Sequence, residues 1–480
     1  MPFVFLLLFA LVSLQHTQWP GPPGWLTNEG CALLVLAFLI TSWLSASLIA
    51  RTIAWQLCRQ PENRSALAQS YTLWRRNHFI AMIVGYLAMV YLLGWGKVLH
   101  DFLRTYLPPR WQTEDNLPGL QLGVLMPFFL AVIASWERWH LVEREVYEET
   151  HGSDTYLGRW TYVVMQIRHQ YFIVLPPMFV MTALQIMYVF VGVDDRQSHW
   201  PILAVIAFLA AAFIGMPWLL RLFLGLTPLP PGELRDRLEG AARRLGFGYS
   251  DILVWDTNNL VANAMVTGFI PWVRYIILTD RIIQDLSPDE IEAVFGHEVG
   301  HIEHHHLTFY LAFFMTSIVL FSLLWDELSR RISFEDVRAF LTSIPFVGDE
   351  DFDDLAGTLN SFGKLALLVP YMFVCFGYLS RRCERQADLF GAQTVSTDVF
   401  IHALEKVADI NGIARDKWSW LHPSIDQRIE FLREMRDDPR EATRFHRSLR
   451  WMQWGLYAGL VVLLVSAWRY DLLDVWKLLQ

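Results

Sequence analysis

Charge is scarce in this chain. Asp, Glu, Lys and Arg together make up 18% of its 480 residues, below the quarter that soluble globular domains usually carry. Cysteine is scarce too. Cys31, Cys58, Cys375 and Cys383 are the four present, and no paired spacing links them, which excludes a disulfide framework. No Lys or Arg precedes the apolar stretch 3–14, and no small-residue cleavage pattern is evident there. A secretory signal carries both features, so this stretch is expected to be a retained first span. The net charge of -9 offers no basic surface, and no nucleic-acid partner is expected. Internal repeats and low-complexity linkers are missing as well.

Apolar residues are plentiful: 54% of the chain, including 21 Trp and 32 Phe, with a mean hydropathy of +0.28. Runs long enough to cross a bilayer recur near 31–50, 79–97, 119–136, 171–192, 201–220, 308–325, 362–379 and 451–468. With 3–14 they make roughly nine spans. Pro127, Pro176, Pro177 and Pro370 fall inside them, and neighbouring helices can satisfy the carbonyls that proline frees. The expected class is a mainly α, polytopic helical membrane protein, with the lipid bilayer as a partner.

Orientation follows from the basic residues. The 51–78 connection holds Arg51, Arg59, Arg64, Arg75 and Arg76, whereas 16–30 holds no Lys or Arg, so 51–78 is expected inside. Counting spans onward puts 137–170, 222–307 and 380–450 on the same side and the acidic run 349–354 opposite. The organisation then reads as a multi-span region 1–221 with about six spans, a first cytoplasmic piece 222–307, and two spans with an acidic outer loop over 308–380. A second cytoplasmic piece 381–448 and a final span with tail, 449–480, complete it. The first piece opens with an amphipathic helix ending at Gly246, and strands are expected at Asp251–Trp255 and Tyr275–Leu278.

One stretch of the first cytoplasmic piece carries chemistry: Ser287 to His306, SPDEIEAVFGHEVGHIEHHH. Ser287, Pro288 and Glu290 form a helix start with a capping serine, a proline at the first position and a glutamate to close the box. Ile291, Val294, Phe295 and Ile302 give an apolar stripe. His297 and His301 are four apart and leave one helical face, the spacing that grips one tetrahedral zinc. Glu298 can reach a metal-activated water without binding the metal itself. Gly300 is unfavourable in a helix interior and suggests close approach by another backbone. His304, His305 and His306 are expected to form a wet collar at the membrane surface rather than to add ligands.

A catalytic zinc usually has three protein ligands and one open position. Leu307 stands where a third histidine of the pattern HExxHxxGxxH would fall, and His304 replaces its glycine. A carboxylate is the alternative. Glu327, Glu335 and Glu350 lie across the membrane in this topology, and Glu303, two residues past His301, faces away. Glu384, in SRRCERQADLFGA, is the next glutamate on the same side. Asp388 shares its helical face and could accept a hydrogen bond from a metal-bound imidazole. The competing reading pairs Glu384 with Arg381 or Arg385 on a wet surface.

LSPDEIEAVFGHEVGH, then ERQAD after a span, then HPSIDQRIEFL resembles, over roughly residues 228–435, the membrane-embedded gluzincin metallopeptidases, which include the CaaX prenyl proteases and the HtpX-type quality-control proteases. The resemblance implies a small α+β zincin-like catalytic domain, with a short sheet beside the HExxH helix. It implies one zinc ion held by His297, His301 and Glu384, with Glu298 as general base. Asp388 matches the last letter of ExxxD. ANAMVTG resembles a segment that places Asn263 near the site, on a strand whose open edge can accept a peptide; a plain turn asparagine is the other reading. His422 and Arg428 match HPxxxxR. His422 would stabilise the oxyanion, and Arg428 would bind substrate or brace the fold.

The expected function is a zinc-dependent integral-membrane endopeptidase acting on membrane-associated proteins. CaaX-type processing and membrane-protein quality control are both open within that class, and a non-catalytic membrane scaffold stands outside it. The expected location is a bacterial inner membrane or the endoplasmic reticulum, with the site facing the cytoplasm.

Overall fold

The computed structural model describes residues 8, 19–108, 117–151, 156–171, 175–191, 200–259, 261–331, 363 and 366–469. The expected first span 3–14, apart from Leu8, and the acidic run 349–354 lie outside the described residues. The chain divides into two compact units, Met1–Ala212 with Phe334–Gly363 and Phe213–Ser333 with Lys364–Gln480.

The first unit is helical: α1 (Asn28–Arg59), α2 (Arg64–Tyr91), α3 (Trp95–Tyr106), α4 (Leu120–His151), α5 (Arg159–Tyr171) and α6 (Leu175–Val191). Thr27 caps α1 by accepting from the Gly30 N–H. Ala46 and Ala50 of α1, Tyr86 and Val90 of α2, and Val124 and Phe128 of α4 are buried together. Alanines at the crossing let α1 lie close to α4. Gly94 separates α2 from α3 with φ +76, and a Cβ there would stand 2.4 Å from the Pro22 nitrogen. Only glycine fits both the left-handed backbone and that contact. The two helices bend by 54° at this break.

α7 (Trp200–Leu224) leads into the second unit. There β1 (Thr227–Pro228), α8 (Glu233–Arg244), β2 (Asp251–Trp255), β3 (Ala264–Thr267), β4 (Tyr275–Thr279), α9 (Asp280–Asp285) and α10 (Pro288–Glu303) follow one another. The sheet order is β1-β2-β4-β3. β2 and β4 run parallel, so the segment between them must cross over, and β3 lies within that crossover. Both expected strands are present, as β2 and β4; β3 pairs antiparallel with β4 and forms an edge. Leu238 of α8, Ile276 and Leu278 of β4, and Ile291, Phe295 and Val299 of α10 share one apolar cluster.

Next come α11 (His306–Arg331), a π-turn at Met372–Phe376, α12 (Gly377–Thr394), α13 (Thr397–Ile410), α14 (Ile425–Asp437) and α15 (Pro439–Arg469). Phe400, Leu404, Ile429 and Leu432 pack α13 and α14 beside Leu389 of α12. Phe309 and Phe313 of α11 meet Leu379 and Cys383 of α12 and Leu449 of α15.

Among the described residues three helices are long and apolar enough to cross a membrane: α1, α4 and α15; the bent α2–α3 pair would make a fourth. Val461, Val462, Leu464 and Val465 of α15 are all exposed. An apolar face of that kind is matched by lipid rather than water.

Candidate metal centre

Helix α10 begins as its sequence dictates. The Ser287 side chain accepts from the Glu290 N–H, and the Glu290 carboxylate accepts from the Ser287 N–H. Glu290 is buried and also meets His402 and Lys406 of α13. Burial alone would raise its pKa; hydrogen bonds from the Ser287 N–H, His402 and Lys406 outweigh that and hold it at about 2.

Small residues then let α10 meet α12. A Cβ on Gly300 would lie 2.9 Å from the Phe390 Cβ and 3.2 Å from the Ala387 Cα, and one on Gly296 would lie 2.7 Å from the Thr394 Cβ. From the other side, a Cβ on Gly391 would lie 3.1 Å from the His297 nitrogen. The close backbone that Gly300 called for is therefore α12. That helix carries Glu384 and Asp388 one turn apart, both buried.

The crossing brings three donor atoms together. His297 Nε2 and His301 Nε2 are 3.3 Å apart. Glu384 Oε1 is 3.5 Å from His301 Nε2, and Oε2 is 3.8 Å from His297 Nε2. Ligands about 2.1 Å from a tetrahedral zinc are roughly 3.4 Å from one another, so this set fits a zinc ion. His297, His301 and Glu384 form the one such group among the described residues.

The electrostatics of the three donors differ. Burial drives His301 down to about 4, leaving its imidazole neutral, as metal binding needs. Burial also opposes charge on His297, but Asp388 overrides it and raises its pKa. Burial would raise the Glu384 carboxylate; a hydrogen bond from His422 and the electrostatic influence of the surrounding histidines hold it well below the usual range. Arg381 and Arg385 take no part: Arg381 donates to the Trp420 carbonyl, and Arg385 lies over the Phe431 ring.

Around this centre, Asp388 Oδ1 stands 3.0 Å from His297 Nδ1, although the approach angle falls short of hydrogen-bond geometry. Arg428 grips both oxygens of Asp388 with one guanidinium edge, Nε donating to Oδ2 at 2.9 Å and Nη2 to Oδ1 at 2.5 Å. Ser424, capping α14, sets Arg428 one turn in. His422, in the loop before that cap, places Nδ1 3.0 Å from Glu384 Oε2 and is 54% exposed. Glu298 is half-buried on α10, and its carboxylate accepts from the Val266 N–H of β3. Burial pushes it up to about 7, with the Glu384 charge acting in the same direction and His297 and the Val266 N–H opposing. Asn263 is exposed at the head of β3, and its backbone N–H and C=O both bond Thr279.

Residues 228–436 match the model of Peptidase family M48. The matched segment contains every residue of this centre. CAAX prenyl protease 1 of Saccharomyces cerevisiae is 28% identical over 52% of this chain and 59% of its own length. Protease HtpX of Alkalilimnicola ehrlichii is 28% identical over 42% of this chain and 69% of its own. The chain spans about half the length of the first curated relatives it matches. The crystal structure of S. mikatae Ste24p superposes with a TM-score of 0.52 at 20% identity, covering 84% of this chain and 98% of that one. The resemblance to membrane-embedded gluzincins stands, and the helical fold with its small sheet is shared. Within the M48 segment, the expected collar His304–His306 is corrected at its last member. His306 is 1% exposed, because the chain turns at His305, φ +54, and folds His306 back against His301. Gln386, between Glu384 and Asp388, is also buried there and was not anticipated.

Proposed function

We propose that this chain is a zinc-dependent integral-membrane endopeptidase. The observation that carries this reading is the convergence of His297, His301 and Glu384 while Glu298, between the two histidines in sequence, stays outside the donor set. Zinc, when bound there, supplies a Lewis acid that polarises a carbonyl and acidifies water.

The chain's own residues do the remainder. Glu298, raised to about 7, is poised to take a proton from water near neutral pH and return it to the leaving amine. His422, half-exposed beside Glu384, serves to stabilise the developing oxyanion. Asp388 orients His297, and Arg428 is committed to Asp388, which favours bracing over substrate contact. A substrate peptide adds to the free edge of β3, starting at Asn263. The Glu298–Val266 bond ties that edge to the general base.

In this reading residues 222–307 and 381–448 are the two catalytic parts, facing the cytoplasm between membrane spans. The substrate is a membrane-associated peptide or protein. Names among the relatives offer both prenyl-protein processing and HtpX-type proteolysis.

The test is purified enzyme in detergent. Glu298→Gln is expected to keep zinc at wild-type stoichiometry and lose turnover by about 100-fold or more. Full activity in that variant would overturn the assignment. A farnesylated peptide ending in C-a-a-X and an unfolded membrane protein, offered in parallel, separate the two substrate classes.

A further inference from the structure

The side of His301 away from the three donors is not in water. His301 Nδ1 lies 3.0 Å from His306 Nδ1. His306 Nε2 lies 3.0 Å from Gln386 Oε1, and Gln386 Nε2 lies 2.9 Å from His446 Nδ1. His306 and Gln386 are 1% and 3% exposed. His446 stands on α15, and the same helix donates from Gln453 Nε2 to the His304 carbonyl.

Each bond in this series fixes the next. His301 Nε2 faces the other donors, so its lone pair is needed there and its proton belongs on Nδ1. His306 Nδ1 must then accept, which puts the His306 proton on Nε2. That proton can be given only to an acceptor, and the Gln386 amide oxygen is in place. The Gln386 amide nitrogen, in turn, donates to His446 Nδ1. All four groups are satisfied in one direction, and reversing any one of them sets two donors or two acceptors against each other.

We propose that His306 is a positioning residue that fixes the tautomer and ring plane of His301, with Gln386 and His446 holding His306 in turn. This rests on the zinc reading above. It gives α15 a part in the metal centre, since that helix supplies the last member of the series. Asp388 stands 3.0 Å from the corresponding Nδ1 of His297, on α12, so each histidine has a polar neighbour behind it.

The full-length protein in detergent tests it by zinc dissociation to a chromogenic chelator and by the melting temperature of the metal-free form. His306→Phe keeps a buried ring and removes the acceptor. It is expected to weaken zinc about 10–100-fold, beyond the lowered melting temperature that the newly unpaired Gln386 oxygen brings to the metal-free form. His306→Asn puts an amide oxygen close to where Nδ1 stood and is expected to return zinc retention most of the way. Gln386→Met, which leaves His306 free to flip, is expected to fall between them, and it carries the test if His306→Phe does not fold. Wild-type zinc retention in His306→Phe or Gln386→Met, or equal loss in the Phe and Asn variants, would overturn the proposal. Wild-type protein that takes up no zinc would overturn the metal reading itself, and this inference with it.

Discussion

Gly296 of α10 and Thr394 of α12 are so close that a Cβ added to the glycine would overlap the threonine Cβ at 2.7 Å. The approach of these two helices is what allows a carboxylate on one to reach imidazoles on the other. Gly296→Ala is expected to force the helices apart at a cost of about 1–3 kcal/mol, more than alanine's gain of about 1 kcal/mol in helix propensity. Thermal unfolding in detergent and zinc content read the outcome. Unchanged melting with full zinc would show that the crossing has slack.

Glu384→Ala removes the only carboxylate of the donor set and is expected to lower bound zinc to a small fraction of one ion per chain. Metal analysis by mass spectrometry checks it. Stoichiometric zinc in the variant would exclude Glu384 as a ligand.

Arg428 is the ionic partner of an Asp388 that is fully buried. Arg428→Met is expected to destabilise the fold by about 3–5 kcal/mol, because it strands a buried charge. Arg428→Lys should recover only part of this, since an ammonium cannot hold both carboxylate oxygens. Adding Asp388→Asn to Arg428→Met should restore stability but not zinc affinity. Denaturant melts of the three variants decide between a brace and a substrate contact; a brace moves stability without substrate present.

Acid should loosen the start of α10. The folded pKa of Glu290, about 2, lies below its ordinary value of 4.5. The unfolded chain therefore takes up the proton first, and stability present above pH 4.5 is lost as pH falls toward 2. The contribution is about 1–2 kcal/mol after allowing for solvent around its exposed His402 and half-buried Lys406 partners. Glu290→Gln should flatten the pH dependence of the melting temperature between pH 5 and about 3; an identical slope in the variant would show that other groups set it.

Local order supplied much of this protein in advance. Ser287 and Glu290 announce a capped helix, and the spacing of His297 and His301 places two imidazoles on one face, because the α-helical repeat alone determines that. β2 and β4 declare themselves through β-branched runs, and ERQAD sets Glu384 above Asp388 for the same helical reason. His306 was beyond this logic. Five residues past His301, it shares no face with it on a continuous helix, and only the left-handed turn at His305 folds it back. Gln386 likewise gains meaning only from His306 of α11 and from His446 of α15, sixty residues later in the chain. The sequence by itself determined which groups share a helix face. Tertiary structure decided which faces meet, because a glycine-to-backbone crossing, a chain reversal and a buried hydrogen-bond series depend on contacts between residues that no local period relates.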